Sequence, residues 1–543
     1  MTVRRSLPSI LPVVLAVFAT SSTVATPATA ATAASAEEIR STISLSGKPA
    51  GVQIVERVGD PERREWKVQN RFEDRGRGPD ETTVVTVGAD GCPVKLATDG
   101  HDYFKNPVSE RFERTGDKAS WKSSGEAGET TLSGAACYVP IGGGTELLGF
   151  VTRAALAAPN GTIRLLPAGT ASARRITTLD LSVPAAPASP AKTLKVELVE
   201  LSGLAFNPAL LWFDADGLLF AQDDGWATLL REGWESVLPT LREHQQKAEN
   251  AREGELVKRF AHRPNEGFVI TGARLFDPKT RAAIGNTTIV VRGDRIVAVG
   301  PDGQIEVPQG LERLDGAGKT VLPGLWDLHT HLSADAGPLY LAGGITSVRD
   351  LANDIDVLNA LETKWNQGTA IGPRVVKAGF LDSPGPYAGP TKVLVSNEEE
   401  GNAAIDRYAS LGYEQIKIYS SIPPALVPAL VARAKKNGMR VSGHIPAFMT
   451  AEQAVRAGYD EIQHINFIAL NFLFDKVQDT RTPARFTEVA APGAGIDVEG
   501  QAFRDFVALL VEKKVAVDVT VGIFEGMFLN TPGAVAPGWE TVI

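Results

Sequence analysis

Cysteine is almost missing: the 543 residues hold two, Cys92 and Cys137. So sparse a pair excludes a disulfide-framework protein, and two lone thiols lack the further ligands a zinc–thiolate site needs. Long apolar runs are also missing, since no segment reaches the roughly 20 residues that cross a bilayer. Stable membrane insertion is not expected. Nor is there a long Lys/Arg cluster: a formal charge of -9 is spread thinly along the chain, which excludes nucleic acid as an expected partner. What remains is an ordinary globular composition, 43% apolar and 22% charged, with 53 Gly and 34 Pro for many short connections. Histidine is scarce too, at seven residues, so the place of each is informative.

The N-terminus sets an expected compartment. Arg4 and Arg5 precede an apolar run from Leu11 to Phe18, and small-residue sites follow at Ala28-Thr29-Ala30 and Ala34-Ser35-Ala36. Residues 1–36 therefore read as a secretory signal that directs the protein to the periplasm or outside the cell. An oxidising compartment would let Cys92 and Cys137 pair, the other reading being two buried free thiols.

From 37 to 226 the pattern is strand-like, with β-branched runs such as Thr82 to Val87 and a hairpin signal at Asp214-Ala215-Asp216-Gly217. This reads as a β-rich accessory domain. Within it, the Ala/Pro-rich stretch Val183 to Lys192 resembles a linker or long loop. The Gly142-Gly143-Gly144 run lacks the Lys-Ser/Thr and the helix pattern of a phosphate cradle. From Ala227 to His262 the pattern becomes helical and charged, which predicts a helical linker over 227–265. Residues 266–324 then read as the strands of a small β-sandwich, with a tight turn at Gly293-Asp294.

Beyond Leu325, apolar strands alternate with helical segments, as in parallel βα units. Seven strands are predicted: Val321 to His331, Ile345 to Leu351, Arg374 to Leu381, Gln415 to Ser420, Arg440 to Ile445, Glu461 to Ile465 and Val515 to Val521. The fold class is α/β, a TIM-like (β/α)8 barrel over 325–543, with the sandwich and the accessory domain before it.

Four of the seven histidines fall at the carboxyl ends of these strands. His329 and His331 stand two apart in PGLWDLHTHL, so both imidazoles point to one face. His444 lies in RVSGHIP and His464 in EIQHINF. Any one of them alone would read as a structural histidine; together they favour a metal site. Lys417 sits in the apolar strand QIKIYSS, where burial favours the neutral amine. Such an amine can add carbon dioxide to give a carbamate that bridges two cations, although capping a strand end or pairing with a carboxylate is the other reading.

These four motifs, in the chain order PGLWDLHTHL, IKIYSS, SGHIP and IQHINF, resemble the amidohydrolase superfamily of metal-dependent hydrolases, in its imidazolonepropionase-like and prolidase-like branch, over about residues 266 to 530. The resemblance implies that His329 and His331 bind one divalent metal ion, His444 and His464 a second, and carboxylated Lys417 bridges both, with zinc as the expected ion. A hydroxide drawn from shared water would then attack an amide, cyclic amide, peptide-like or ester carbonyl. Small-molecule or dipeptide-like substrates are implied; the oligomeric state is not. Tyr419, two residues past Lys417, either holds a substrate oxygen or packs as a core tyrosine. The Gly/Pro-rich loop Leu381 to Lys392 is the expected substrate-shaping loop. Arg349 and Asp350 either meet a ligand or buttress the rim as an ion pair.

One part of the family pattern is missing. Its eighth strand ends in an aspartate that moves the proton in catalysis, whereas seven strands are counted here and no catalytic acid/base residue is identified. Asp518, inside the run VAVDVTV, is a weak substitute. The barrel is therefore expected to be C-terminally incomplete, and the alternative function is a chain that binds metal without turnover.

Overall fold

The computed structural model describes residues 38–58, 64–185, 190–333, 335–490 and 492–529. The secretory signal read over 1–36 lies outside them, as does the end of the chain from 530. Among the described residues, no helix is long and apolar enough to cross a membrane.

Residues 38 to 231 build one fifteen-stranded sheet in which almost every strand pairs with its sequence neighbour. Its two ends meet. The first strand, Glu38–Leu45, pairs antiparallel with the last, Ala227–Arg231, in the register Ser41 to Arg231. The predicted helical linker is therefore corrected at its start. Ala227–Arg231 is a strand because its partner, nearly 190 residues away, offers a free edge that a local pattern cannot show; the helix runs from Leu238 to Phe260. The stretch Val183 to Lys192 joins two antiparallel strands, Thr170–Val183 and Lys192–Ser202, and its residues 186–189 lie outside the described residues.

A second correction concerns the glycine run. A helix, Glu146–Ala157, does open just after it and buries Leu147, Phe150, Val151, Ala154 and Ala155 against the sheet. The amide of Gly143 donates to the buried carboxyl group of Glu81 at 2.7 Å, so the turn's amide already has an acceptor supplied by the protein. Near the end of this helix Cys92 and Cys137, both fully buried, form a disulfide with a Cα–Cα distance of 4.8 Å.

The second sheet has five strands between Phe268 and Val321, with its tight turn at Gly293 (φ 56°) between Arg292 and Arg295. The third carries the candidate site. Its seven parallel strands lie side by side in chain order: β1 (Leu325–Thr330), β2 (Ile345–Asp350), β3 (Arg374–Leu381), β4 (Gln415–Ile418), β5 (Arg440–Gly443), β6 (Glu461–Gln463) and β7 (Ala516–Asp518). Helices fill the crossovers. Local chemistry ends them sharply: Ile355–Gln367 starts at an Asp354 cap and stops at left-handed Gly368 (φ 69°), and Ala451–Ala457 carries a Thr450/Gln453 capping box. The apolar faces of these helices and strands close over one core that includes Val348, Leu358, Ile405, Ile416, Val441 and Ile462.

The disulfide closes a loop of 45 residues. Replacing both cysteines by Ala should lower the unfolding free energy of this region by roughly 2 to 4 kcal/mol. Denaturant unfolding of the two forms measures it, and a thiol titration of unreduced protein that finds two free sulfhydryls would reject the pairing.

Candidate active site

Parallel strands in chain order end on one rim, and that is where the five predicted ligands stand. His329 is in the last turn of pleat of β1 and His331 just follows it; His444 and His464 come directly after β5 and β6; Lys417 points inward from β4. The four rings are neighbours. Centroids are 5.5 Å apart for His329 and His331, 4.7 Å for His329 and His464, and 4.9 Å for His444 and His464. Lys417 and His444 are each 1% exposed, whereas His331 stands at the open mouth. His464 has φ 71°, a backbone conformation that costs free energy for a residue other than glycine and is retained where a side chain must be aimed.

Each imidazole is held by its Nδ1. His329 Nδ1 meets Asp518 Oδ2 at 2.6 Å and His331 Nδ1 meets the Ala352 carbonyl at 2.9 Å. His444 and His464 use the hydroxyls of Ser420 and Thr520, both at 2.9 Å. The first two acceptors have no proton to give, so those Nδ1 atoms are donors and each Nε2 carries the lone pair. The Nε2 atoms of His329 and His444 are buried without a hydrogen-bond partner.

Electrostatics keep the same groups neutral. Burial pushes His329, His444 and His464 below the usual imidazole range, and positive neighbours push the same way, Lys417 acting on all three and Arg485 on the last two. Lys417 is brought down to about 7 by burial, against the pull of Asp350 and Asp518. No carboxylate makes an ion pair with it among the described residues.

These observations test the fit of a metal. Neutral imidazoles anchored through Nδ1, orphaned Nε2 atoms and a buried lysine able to be neutral are the donor chemistry of a divalent cation site. Among the described residues, however, no group of three or more His, Cys, Asp or Glu side chains stands at metal-ligating spacing. The fit is one of donor chemistry, not of a formed cage.

Residues around the ligands are placed as follows. The Tyr419 ring stacks on His444 at 3.9 Å, and its hydroxyl receives a hydrogen bond from Arg75 of the N-terminal sheet at 3.0 Å. The loop after β3 is tied to the rim through Asp382, which accepts from the amides of Gly389 (2.7 Å) and Ser421 (2.8 Å). Arg349 does not pair with Asp350. It makes a two-pronged bond to Glu461 across the sheet, both arms 2.7 Å, while Asp350 accepts the amides of Leu332 and Ala352.

Asp518 differs in place from the sequence reading. It closes β7 rather than lying inside it, and its carboxylate reaches His329 and, at 3.6 Å, Arg349. The signal was the alternation of VAVDVTV, which puts Asp518 on a single face; what it hid was where pairing stops. Arg75 was missed altogether, although Arg-Gly-Arg-Gly at 75–78 between two strands marks a turn that presents its arginines.

Comparisons with known proteins give short or loose overlaps. No protein-family model matches the chain. A stretch of 48 residues is 54% identical to an imidazolonepropionase of Rubrobacter xylanophilus. That stretch is 8% of this chain and 12% of the relative, so the relative's own activity is not carried over with it. Among solved structures, a Xaa-Pro dipeptidase with bound methionine is 23% identical, covering 46% of this chain and 78% of that one at a TM-score of 0.34. An ochratoxinase from A. niger is 20% identical over 49% and 69% at 0.33. Overlaps this loose carry no functional weight.

The Arg349–Glu461 bridge generates a prediction. Side chains 12% and 4% exposed leave a buried charge if one partner goes, so Glu461→Leu should cost roughly 3 to 5 kcal/mol. Arg349→Met with Glu461→Leu should cost distinctly less. A double-mutant cycle in urea measures both, and equal losses would show that the pair contributes only through packing.

Proposed function

We propose that this chain is an exported, metal-dependent hydrolase that cleaves a C–N bond of the amide, cyclic amide or peptide-like kind, or a related ester. It would do so on a TIM-like barrel preceded by a β-rich accessory domain. The observation that carries the reading is the convergence of four Nδ1-anchored imidazoles and buried Lys417 on one rim of a parallel sheet. His329 and His331 would hold one divalent ion and His444 and His464 a second, with Lys417 between them as its carbamate. When bound, the ions supply Lewis-acid polarisation of a carbonyl and lower the pKa of water.

The chain's own residues do the rest. Asp518 and the Ala352 carbonyl fix the tautomers of His329 and His331, so that both present Nε2. Tyr419 closes one wall of the site against His444 and offers its hydroxyl to a substrate oxygen. The loop held by Asp382 narrows the approach.

One observation favours a second reading, metal binding without turnover. Asp518, the carboxylate at the rim, is already bonded to His329, and a group so engaged is a poor carrier of the proton that the leaving group needs.

Metal analysis of purified protein, with a panel of amide and ester substrates, tests both. Lys417→Ala should lose most bound metal and activity together, and added formate or acetate should restore part of each. Retention of full metal content and turnover would remove the bridging role. Metal content without hydrolysis of any panel member would select the second reading.

A further inference from the structure

The N-terminal sheet reaches the candidate site through a hairpin. Its strands Glu65–Phe72 and Asp80–Val87 are joined through a tight turn in which Asp74 and Arg77 bond each other's backbone at 2.8 and 3.0 Å. Arg75 and Gly76 form its tip with φ 55° and 79°. Two positive φ angles in sequence suit a two-residue hairpin turn, but an arginine at the first costs free energy that glycine or asparagine would not. The side chain explains why it stands there. Arg75 is bonded to Asp74 at 2.7 and 2.8 Å and extends on to the Tyr419 hydroxyl.

Around that hydroxyl lies a narrow cleft lined by Arg75, Arg77, Arg481, Arg485, Tyr387 and Tyr419. Arg75 and Arg77 share Asp74, and Arg481 pairs with Asp479. Arg485 is different. Its guanidinium lies over Phe467 at 5.6 Å and Phe486 at 4.4 Å, its Nε is buried without a hydrogen-bond partner, and it makes no ion pair among the described residues. Even with buried Asp382 behind the loop included, four guanidiniums face three carboxylates. Uncompensated positive charge in a buried cleft is costly unless an anion completes it.

The cleft adjoins the imidazoles. Tyr419 stacks on His444, and Phe467 lies between Arg485 and the rings of His444 (5.0 Å) and His464 (6.4 Å).

Resting on the hydrolase reading, we propose that the N-terminal sheet is a specificity element of the barrel: Arg75, from its hairpin tip, and Arg485 together bind a carboxylate on the substrate, one aromatic ring away from the bond to be cleaved. Planar guanidiniums suit a carboxylate's two oxygens, and an N-acylated amino acid carries a free carboxylate beside its amide bond.

The test uses the full-length metal-loaded protein with N-acetylglycine, N-acetylleucine and N-acetylproline beside their carboxamides, comparing wild type with Arg75→Gln, Arg75→Lys and Arg485→Gln. Steady-state kinetics are read together with calorimetric binding of the same compounds, and thermal unfolding confirms that each variant folds. Wild type should prefer the acids, and Arg75→Gln and Arg485→Gln should each raise KM for them about tenfold or more, with a much smaller change in kcat. Arg75→Lys should recover part of the loss. Arg433→Gln, on a helix away from the cleft and paired with Asp406, should keep the preference. Hydrolysis that ignores the carboxylate, or a preference that survives both glutamine variants, overturns the proposal and leaves the hydrolase reading standing. Arg75-dependent binding of the acids without hydrolysis does the reverse. Neither binding nor hydrolysis of any acid overturns both.

Discussion

Seven parallel strands laid down in chain order impose the constraint on which the site depends: every strand ends on the same side. A residue placed at, or one step past, the end of any strand meets the corresponding residue of every other. Side chains separated by 189 positions, His329 and Asp518, can then touch at 2.6 Å. Parallel pairing requires a crossover for each strand, and the capped helices supply it while burying the outer face. The rim is thus a product of topology, and chemistry is added by choosing a few residue types there.

The interior of the same sheet is held by charge rather than by apolar filling alone. Arg349 on β2 and Glu461 on β6 span it with two bonds, Arg349 also holds the Leu328 carbonyl at 2.7 Å, and Asp518 approaches the same guanidinium. Strands β1, β2, β6 and β7 are therefore tied by one buried network. Among the described residues β1 and β7 are not hydrogen-bonded to each other as strands; their side chains make the link. Leu325, Trp326 and Leu328 on β1 are 52%, 48% and 53% exposed, so that edge is linked to β7 by polar contacts at the rim and not by burial along the strand.

Much of this was legible in the sequence, for a physical reason. Short apolar runs with β-branched residues and alternating helical segments report parallel βα units locally, so β1 to β7 fall where their runs fall. The histidines sit at strand ends, where the pattern stops, and that is readable without knowing any partner. Relations between distant segments were not readable. Ala227–Arg231 pairs with a strand near the start of its sheet, Arg349 chose Glu461 over its neighbour Asp350, and the helix at Glu146–Ala157 is rich in small residues whose burial decides their state. Asp518 was hidden by a boundary: whether it lies within or at the end of a strand depends on where β6 stops pairing, at Gln463.

The N-terminal sheet illustrates how a domain without visible chemistry can matter to a site. Its hairpin carries an arginine in a strained turn, and a Cβ on Gly76 would come within 3.8 Å of Tyr387 and 3.9 Å of Pro483, both on loops of the parallel-sheet region. The tip is therefore seated against those loops and held in register with them. A guanidinium delivered this way gains rigidity from two sides, Asp74 behind and Tyr419 ahead. Such preorganisation lowers the entropic cost of meeting an anion compared with a lysine on a free loop. Position follows from the same geometry. Tyr419 is bonded to Arg75 through its hydroxyl and packed on His444 through its ring, so one side chain couples the place where charge is recognised to the place where a bond would break.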